Sequence, residues 1–371
     1  MSDDALPRSD QIDGAPHPRE TTRLFGQETA EANFMEAFNG DRLHHGWLIT
    51  GPRGVGKATL AWRIARFLIA TPNDDGGMFA PARPENLDIP VDHSVNRRIL
   101  AESEPGIFSL RRPYDPDKKK LKAQITVDEV RKLKGFFGLS ATDGGRRVVI
   151  VDTADEMNVN AANALLKLLE EPPERTYLLL ISHQPSKLLP TIRSRCRELR
   201  CTGLEAQALS QALLASGAQD VDTNALSQLA GGSVGEAMAL MNLDGLKLYQ
   251  RLVNIAGTFP RFDRPMAAAM GELMAARGAD EKFALMGRLV DTLLNRLARA
   301  GLGLIDQEAI PGELDILRRL SADANAARLW SEVSHTIAER LRHGRGVNLD
   351  PAALVLDMVV TMNDTARRTA A

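Results

Sequence analysis

The stretch TGPRGVGKAT constrains the fold of this chain more than any other part of the sequence. It follows the apolar run WLIT at 47–50 and leads into the amphipathic pattern ATLAWRIARFLIA at 58–70. A glycine-rich turn between a buried strand and a helix lets backbone N–H groups surround phosphate oxygens, and the helix N-terminus adds positive potential. The stretch therefore predicts a phosphate-binding loop. The residues predicted to form it are Gly51, Gly54, Gly56 and Lys57.

The loop departs from the pattern G-x-x-x-x-G-K-[ST] at its last position. Ala58 stands where a Ser or Thr hydroxyl would bind Mg²⁺. Thr59 is the nearest hydroxyl and is counted with the predicted nucleotide site. It is not an equivalent replacement, because one residue along a helix turns the side chain by ~100°. The loop thus favours phosphate binding but not magnesium-assisted hydrolysis.

A second nucleotide signature has a similar loss. VVIVDTADEMN is typical of a Walker B strand that ends at Asp152, a carboxylate placed to hold a metal ion through water. Active enzymes of this type usually have Glu next, to orient the attacking water, whereas this chain has Thr153. Asp155 and Glu156 follow further on and are predicted to be solvent or capping carboxylates. Asp152 therefore belongs to a degenerate nucleotide site.

Strand-like and helical patterns alternate from about residue 24 to residue 203. RVVIV at 147–151 is a continuous β-branched run of the kind that is buried on both faces of a parallel sheet. NAANALLKLLEE at 160–171 is a helical pattern stopped by a Pro-Pro pair, and TYLLLIS at 176–182 is a further buried strand. This alternation predicts an α/β P-loop domain with a parallel sheet and flanking helices.

The remaining sequence divides into segments of different character. The polar N-terminus lacks the apolar core of a signal peptide. Several prolines, a Gly-Gly pair and the basic run at 117–120 indicate a partly loop-like insertion, and strand patterns stop after Gly203. The predicted segments are a disordered leader (1–21), the α/β domain (22–203) with an insertion at about 71–123, a small helical domain (204–244) and a C-terminal all-helical domain (245–371).

Composition is that of an ordinary soluble protein. Hydrophobic residues make up 44% and charged residues 25%, and the net charge is −2. Any contact with nucleic acid must therefore come from local basic patches. No window approaches the ~18 apolar residues of a membrane helix, so we expect a cytoplasmic location without membrane contact. The two cysteines, Cys196 and Cys201, indicate neither a disulfide framework nor a zinc site.

Two long stretches resemble a known family. RLHHGWLITGPRGVGKATLA and NVNAANALLKLLEEPPERTYLLLISHQPSKLLPTIRSRC are similar to the AAA+ subunits of the bacterial sliding-clamp loader. The resemblance covers roughly residues 22–240. It implies an AAA+ P-loop domain followed by a helical lid at 204–244, and the helical remainder fits the collar domain through which such subunits oligomerise.

The resemblance also assigns roles to single residues. Ser194, Arg195 and Cys196 match the family's S-R-C motif, whose arginine acts in trans on the γ-phosphate of ATP bound to the adjacent subunit. Such an arginine finger stabilises transition-state charge and can be worth ~10³–10⁵ in rate. Taken without the motif, the arginines at 193–200 favour a basic edge that pairs with local carboxylates; within the motif, the finger is favoured. Gly235 stands where the family's lid has an ATP-contacting arginine, and the insertion lacks the four cysteines of the family's zinc module, so no zinc is expected.

Three functions fit this pattern. The first is a non-hydrolysing clamp-loader subunit that binds ATP or ADP weakly or not at all and lends Arg195 to a neighbour. Its partners would be clamp-loader subunits of tau/gamma and delta type in a hetero-oligomeric ring, and through them the sliding clamp and primed DNA. The alternative is an active clamp-loader ATPase of tau/gamma type or a related AAA+ motor. A third is a scaffold in which neither the loop nor Arg195 acts.

Overall fold

The structure is a computed structural model. The residues that it describes are 7–12, 14–40, 43–71, 83–138, 145–218 and 222–369. The chain separates into two compact units. Unit 1 comprises Met1–Gln219 and Gly232–Gly235, and unit 2 comprises Asp220–Gly231 and Glu236–Ala371.

Unit 1 is built on a five-stranded parallel sheet with the strand order β2-β5-β6-β1-β7. A short antiparallel hairpin, β3-β4, follows the edge strand β2. The strands are β1 (Gly46–Thr50), β2 (Ile107–Arg111), β3 (Tyr114–Asp115), β4 (Lys120–Leu121), β5 (Arg147–Asp152), β6 (Thr176–Ser182) and β7 (Arg197–Arg200).

Helices cover both faces of this sheet, because the strands are apolar on both sides. On one face Leu48 and Val149 pack with Leu165 in a single core cluster. On the other face Phe34 lies 5.0 Å from Trp47, centroid to centroid. The helices of unit 1 are α1 (Glu28–Asn39), α2 (Lys57–Ala70), α3 (Ser94–Leu100), α4 (Val127–Gly138), α5 (Val159–Glu170), α6 (Pro190–Arg193) and α7 (Ala206–Ala215). This is the predicted α/β P-loop architecture.

Local signals set the bounds of α5. α5 begins after Asn158, whose side chain accepts a hydrogen bond from the Ala161 N–H at 2.9 Å. It ends at Glu170, two residues before Pro172, because a proline disfavours helical backbone in the residue before it. The predicted helix at 160–171 is therefore confirmed within one residue at each end.

Two strands of the sheet, β2 and β7, were not predicted from the sequence. β2 lies inside the predicted insertion at about 71–123 and pairs in parallel with β5 along its whole length. Only one residue of β2, Leu110, is buried, so the run IFSLR has no long apolar signature. Residues 72–82 of the predicted insertion lie outside the described residues.

The N-terminal residues differ from the predicted disordered leader. Residues 7–12 and 14–22, the N-terminal strap, lie against unit 1. Asp10 and His17 are almost fully buried, and the Asp10 carboxylate bonds both its oxygens to Arg111. Long-range ion pairs hold the strap, and no hydrophobic periodicity could have indicated them. Residues 1–6 lie outside the described residues.

From residue 222 onward the described residues form helices only. They are α8 (Thr223–Ala230), α9 (Val234–Asn242), α10 (Gly245–Gly257), α11 (Arg264–Ala275), α12 (Asp280–Ala300), α13 (Glu313–Leu320), α14 (Ala324–Gly346) and α15 (Pro351–Thr369). The segment predicted to be helical at 204–244 contains α7, α8 and α9. The division of 204–371 into lid and collar domains remains a proposal. None of the described helices has the length and apolar character that crossing a membrane requires.

A buried ionic network stabilises unit 2. Glu313 is fully buried and accepts hydrogen bonds from Arg296 at 2.7 and 2.9 Å and from the Tyr249 hydroxyl at 2.6 Å. The Ala309 N–H donates to the same carboxylate at 2.6 Å. Because each carboxylate oxygen has partners, the buried charge is compensated.

Candidate nucleotide site and arginine finger

The glycine-rich loop follows β1 at the carboxyl edge of the sheet, as predicted. Gly51, Gly54 and Gly56 have φ of 138°, 76° and 97°, a region that L-residues with a side chain rarely adopt. A Cβ at position 51 would lie 2.2 Å from the Cys201 carbonyl oxygen. Glycine is therefore required here by the backbone itself. The loop has the shape of a phosphate cradle, and the nucleotide-binding role of its residues stays a prediction.

Lys57 points back into its own loop. Its ammonium group donates to the Gly51 carbonyl at 2.8 Å and to the Pro52 carbonyl. The residue is only 3% exposed, and burial lowers the pKa of Lys57 to about 8. Ala58 and Thr59 follow as half-buried residues of α2. The charge that would meet a phosphate is thus used to bond the loop carbonyls.

The Walker B aspartate ends β5 next to the loop. Asp152 is buried and accepts a hydrogen bond from the Thr153 hydroxyl at 3.2 Å. Burial, together with the nearby Asp10 carboxylate, raises the pKa of Asp152 to about 7. Asp155 accepts from the His183 backbone N–H at 2.9 Å. The two carboxylates after Asp152 are therefore not equivalent to a catalytic glutamate: Asp155 is bonded to backbone, and Glu156 is paired with an arginine.

Two polar residues end β6 at the same edge. Ser182 is fully buried, and its hydroxyl is among the buried polar atoms of the described residues that have no hydrogen-bond partner. His183 follows it, and burial together with the charge of Lys57 lowers the pKa of His183 to about 4. The imidazole is therefore neutral at physiological pH.

A turn formed by residues 232–235 is bonded to the outside of the loop. The Ser233 hydroxyl donates to the Arg53 carbonyl at 2.9 Å, and the Gly235 N–H donates to the Gly54 carbonyl at 3.1 Å. A Cβ at Gly235 would lie 3.0 Å from the Gly54 Cα. The contact is therefore close enough that a larger residue at 235 would push the turn away.

These residues do not fit a bound nucleotide in the arrangement that the structure shows. The Lys57 ammonium is bonded to carbonyls, and the Asp10 carboxylate adds negative charge next to Asp152. Among the described residues, no group of three or more His, Cys, Asp or Glu side chains could hold a metal ion. The expectation that zinc is absent stays a prediction.

Arg195 lies at the amino ends of the strands, opposite to the loop. It precedes β7, and its carbonyl oxygen is 3.0 Å from the position of a Cβ on Gly46, the first residue of β1. The phosphate loop begins after the last residue of β1. Five residues at ~3.3 Å each separate the two ends by ~17 Å, more than the length of an arginine side chain. Arg195 therefore cannot act on the loop of its own chain.

The Arg195 side chain is half-exposed and paired. It donates to the Thr191 carbonyl at 3.1 Å and forms an ion pair with Glu170 at 2.9 Å. The Ser194 hydroxyl also donates to Thr191, at 3.1 Å. Pairing with a local carboxylate is what the alternative of a basic edge predicts. An exposed pair of this kind contributes only ~0–1 kcal/mol. The Arg195 guanidinium can therefore leave Glu170 and bind a phosphate instead.

The sequence analysis did not identify the strap residues as part of this site. Asp10 lies close enough to Asp152 to raise its pKa, and Ile12 lies against Gly235. No sequence signal could have indicated these contacts, since they join residues more than a hundred positions apart through ion pairs and one exposed apolar side chain.

Unit 1 is similar to known subunits of DNA polymerase III. Residues 26–205 match a family model described as DNA polymerase III, delta subunit. A DNA polymerase III subunit delta' from Pseudomonas aeruginosa is 40% identical over 201 residues, 54% of this chain and 56% of the relative. The subunit delta' from Escherichia coli is 28% identical over 332 residues, 88% of this chain and 91% of the relative.

Subunits of a second type are also similar. The DNA polymerase III subunit gamma/tau from Mycobacterium tuberculosis is 31% identical over 187 residues, 48% of this chain and 28% of the relative. A solved gamma subunit-related protein from Thermotoga maritima has a TM-score of 0.43 and 18% identity, covering 90% of this chain and all of that one. The match to the Pseudomonas relative spans little more than half of that protein's length. The resemblance seen in the sequence is confirmed.

Proposed function

We propose, from the match of residues 26–205 to the family model described as DNA polymerase III, delta subunit, that this chain is a delta'-type subunit of the clamp loader. It does not hydrolyse ATP itself. It supplies Arg195 to ATP bound by a neighbouring subunit while the ring-shaped clamp is loaded onto primed DNA. Its partners are tau/gamma-type and delta-type subunits, and its location is cytoplasmic.

The position of Arg195 carries this proposal. The guanidinium and the phosphate loop lie at opposite edges of one parallel sheet, so this arginine can reach only a phosphate held by another molecule. In a ring of such domains the amino edge of one sheet faces its neighbour's nucleotide. The planar fork of arginine suits phosphate oxygens, and its charge is preserved at all physiological pH values.

The state of the chain's own loop supports the absence of hydrolysis. Ala58 offers no hydroxyl to a metal ion, and Thr153 offers no base to a water molecule. Lys57 is bonded to Gly51 and Pro52. An active motor of tau/gamma type would need a metal-binding hydroxyl at position 58, a base at position 153 and a lysine that is free to meet a phosphate. The active-ATPase alternative therefore has less support.

The test is steady-state ATP hydrolysis by the reconstituted clamp-loader complex with primed DNA and clamp. Arg195→Ala in this chain is expected to reduce turnover at the neighbouring site by at least 100-fold, because the transition-state charge loses its partner. Arg193→Ala is the matched control, since Arg193 is an exposed arginine two residues away and is expected to leave turnover unchanged.

Two further arms separate the competing functions. Normal turnover in a fully assembled Arg195→Ala complex would support the scaffold function and contradict the finger. Magnesium-dependent hydrolysis by the isolated chain that disappears in Lys57→Ala would identify an active ATPase. Arg195→Lys is expected to restore little activity, because an ammonium lacks the bidentate fork.

A further inference from the structure

We propose that the N-terminal strap, residues 7–12 and 14–22, occupies the approach to the phosphate loop and competes there with nucleotide. This inference rests on the proposed function, in which the loop does not turn over ATP, and adds the reason that the site is closed. The occupant is a segment of the chain itself.

The first anchor of the strap lies beside the Walker B aspartate. The Asp10 carboxylate bonds to Arg111 at 2.6 and 2.7 Å and lies 3.1 Å from His17 Nε2, and its side chain is only 1% exposed. Arg111 ends β2 and is the register partner of Asp152 on β5. The strap is thus fixed at the carboxyl edge of the sheet, where the phosphates and metal ion of a nucleotide would lie.

The second contact lies on the turn at 232–235, which is bonded to the loop. A Cβ on Gly235 would be 2.7 Å from the Ile12 Cδ1 and 3.0 Å from the Gly54 Cα. Ile12, Gly235 and Gly54 are therefore stacked in van der Waals contact, and the Gly235 N–H donates to the Gly54 carbonyl at 3.1 Å. The glycine at 235 makes room for the strap side chain over the loop.

The third anchor follows the helix that begins at the loop. Two arginines of α2 bond strap carbonyls: Arg66 donates to Arg19 at 2.6 Å, and Arg63 donates to Thr22. The His17 ring lies edge-on to Trp62 of the same helix, with centroids 5.9 Å apart. The strap is therefore held both at the end of β2 and along α2.

The negative charge of Asp10 also opposes nucleotide binding at this position. Burial disfavours the charged form of Asp10, but bonds from His17 and Arg111 lower the pKa of Asp10 to about 2. Asp10 is therefore an anion at neutral pH next to Asp152. A nucleotide triphosphate would bring further negative charge to this edge, so nucleotide and the docked strap exclude one another by repulsion as well as by space.

The test measures binding of a fluorescent ATP analogue with Mg²⁺ to the isolated full-length chain. Asp10→Ala removes the carboxylate that both Arg111 and His17 hold, and it is expected to tighten binding at least tenfold. The added Lys57→Ala substitution is expected to abolish this gain. Arg8→Ala is the matched control, since Arg8 is a strap residue whose ion pair with Glu102 lies at the surface, and it is expected to behave as wild type.

Hydrogen exchange of strap peptides supplies a second readout on the wild-type protein. Competition is reciprocal, so saturating Mg²⁺–ATP is expected to accelerate amide exchange in residues 7–22. Slower exchange with nucleotide bound would overturn the proposal, as would an Asp10→Ala strap that exchanges freely while affinity stays at the wild-type value. Should Asp10→Ala fail to fold, as judged by its circular dichroism, Ile12→Gly makes the same test through the contact with Gly235 alone.

The two proposals fail separately. The strap experiment measures nucleotide affinity of the isolated chain, whereas the Arg195 experiment measures turnover by the assembled complex. A strap that does not compete leaves the finger untouched, and an inactive finger leaves the affinities unchanged.

Discussion

His183 provides a quantitative test of the electrostatics at the loop. It follows β6, and burial together with the positive charges of Lys57 and Arg53 lowers its pKa to about 4, although Asp155 opposes the shift. In the unfolded chain the pKa of histidine is about 6.5. Between these two values the unfolded state binds a proton that the folded state does not. The stabilisation is therefore complete above pH 6.5 and is lost as the pH falls towards 4.

The magnitude follows from the two pKa values. At pH 5 the unfolded histidine is almost fully protonated and the folded one is about 10% protonated, which corresponds to about 2 kcal/mol lost relative to neutral pH. His183→Gln keeps a polar side chain without this titration. We therefore expect unit 1 of the wild type to lose about 2 kcal/mol more than the variant between pH 7.5 and pH 5.

The assay is urea unfolding at the two pH values in a Trp330→Phe background. The two remaining tryptophans, Trp47 and Trp62, then report on unit 1 alone. His335→Gln is the control, because His335 is an exposed histidine of unit 2. Equal losses of stability in the wild type and in His183→Gln would refute the assignment of a neutral, desolvated imidazole beside Lys57.

Two further predictions concern stability. Glu313→Ala leaves Arg296 buried without its carboxylate and is expected to destabilise unit 2 by ~3–5 kcal/mol in thermal or urea unfolding, whereas Glu332→Ala, in an exposed helix pair, is expected to cost less than ~1 kcal/mol. Gly51→Ala is expected to destabilise unit 1 by more than ~1 kcal/mol, because its Cβ would meet a backbone carbonyl at 2.2 Å. Gly135→Ala, in open space on α4, is expected to stabilise by ~0.5–1 kcal/mol; the reverse order of the two glycine variants would contradict the argument.

The parts of the fold that the sequence predicted are those with local signals. The inner strand β5 contains a run of buried β-branched residues, and α5 carries an asparagine cap at one end and prolines after the other. β2 was missed because an edge strand of five residues with one buried side chain resembles a loop. Its place in the sheet is set by pairing with a strand forty residues later, which no local pattern encodes.

In the candidate site, too, some features follow from local sequence signals and others do not. The positive φ angles of Gly51, Gly54 and Gly56 follow directly from the motif. The bonding of Lys57 to loop carbonyls and the ion pair between Arg195 and Glu170 do not, because they depend on which partner lies nearest in three dimensions. The strap is the clearest example, because a polar N-terminal sequence predicts disorder unless its buried partner, such as Arg66, is known.

The geometry of the sheet separates the predicted nucleotide site from Arg195, so one can lack functional groups while the other retains them. The loop lies where β1 ends, and Arg195 lies where β7 begins, so substitutions at one edge do not displace the other. Ala58 offers no hydroxyl to a metal ion in the loop. Gly235 leaves room for the Ile12 side chain, and Asp10 accepts hydrogen bonds from Arg111 at the end of β2. The strap contacts at Asp10 and Ile12 therefore do not involve Arg195, which lies before β7 and pairs with Glu170.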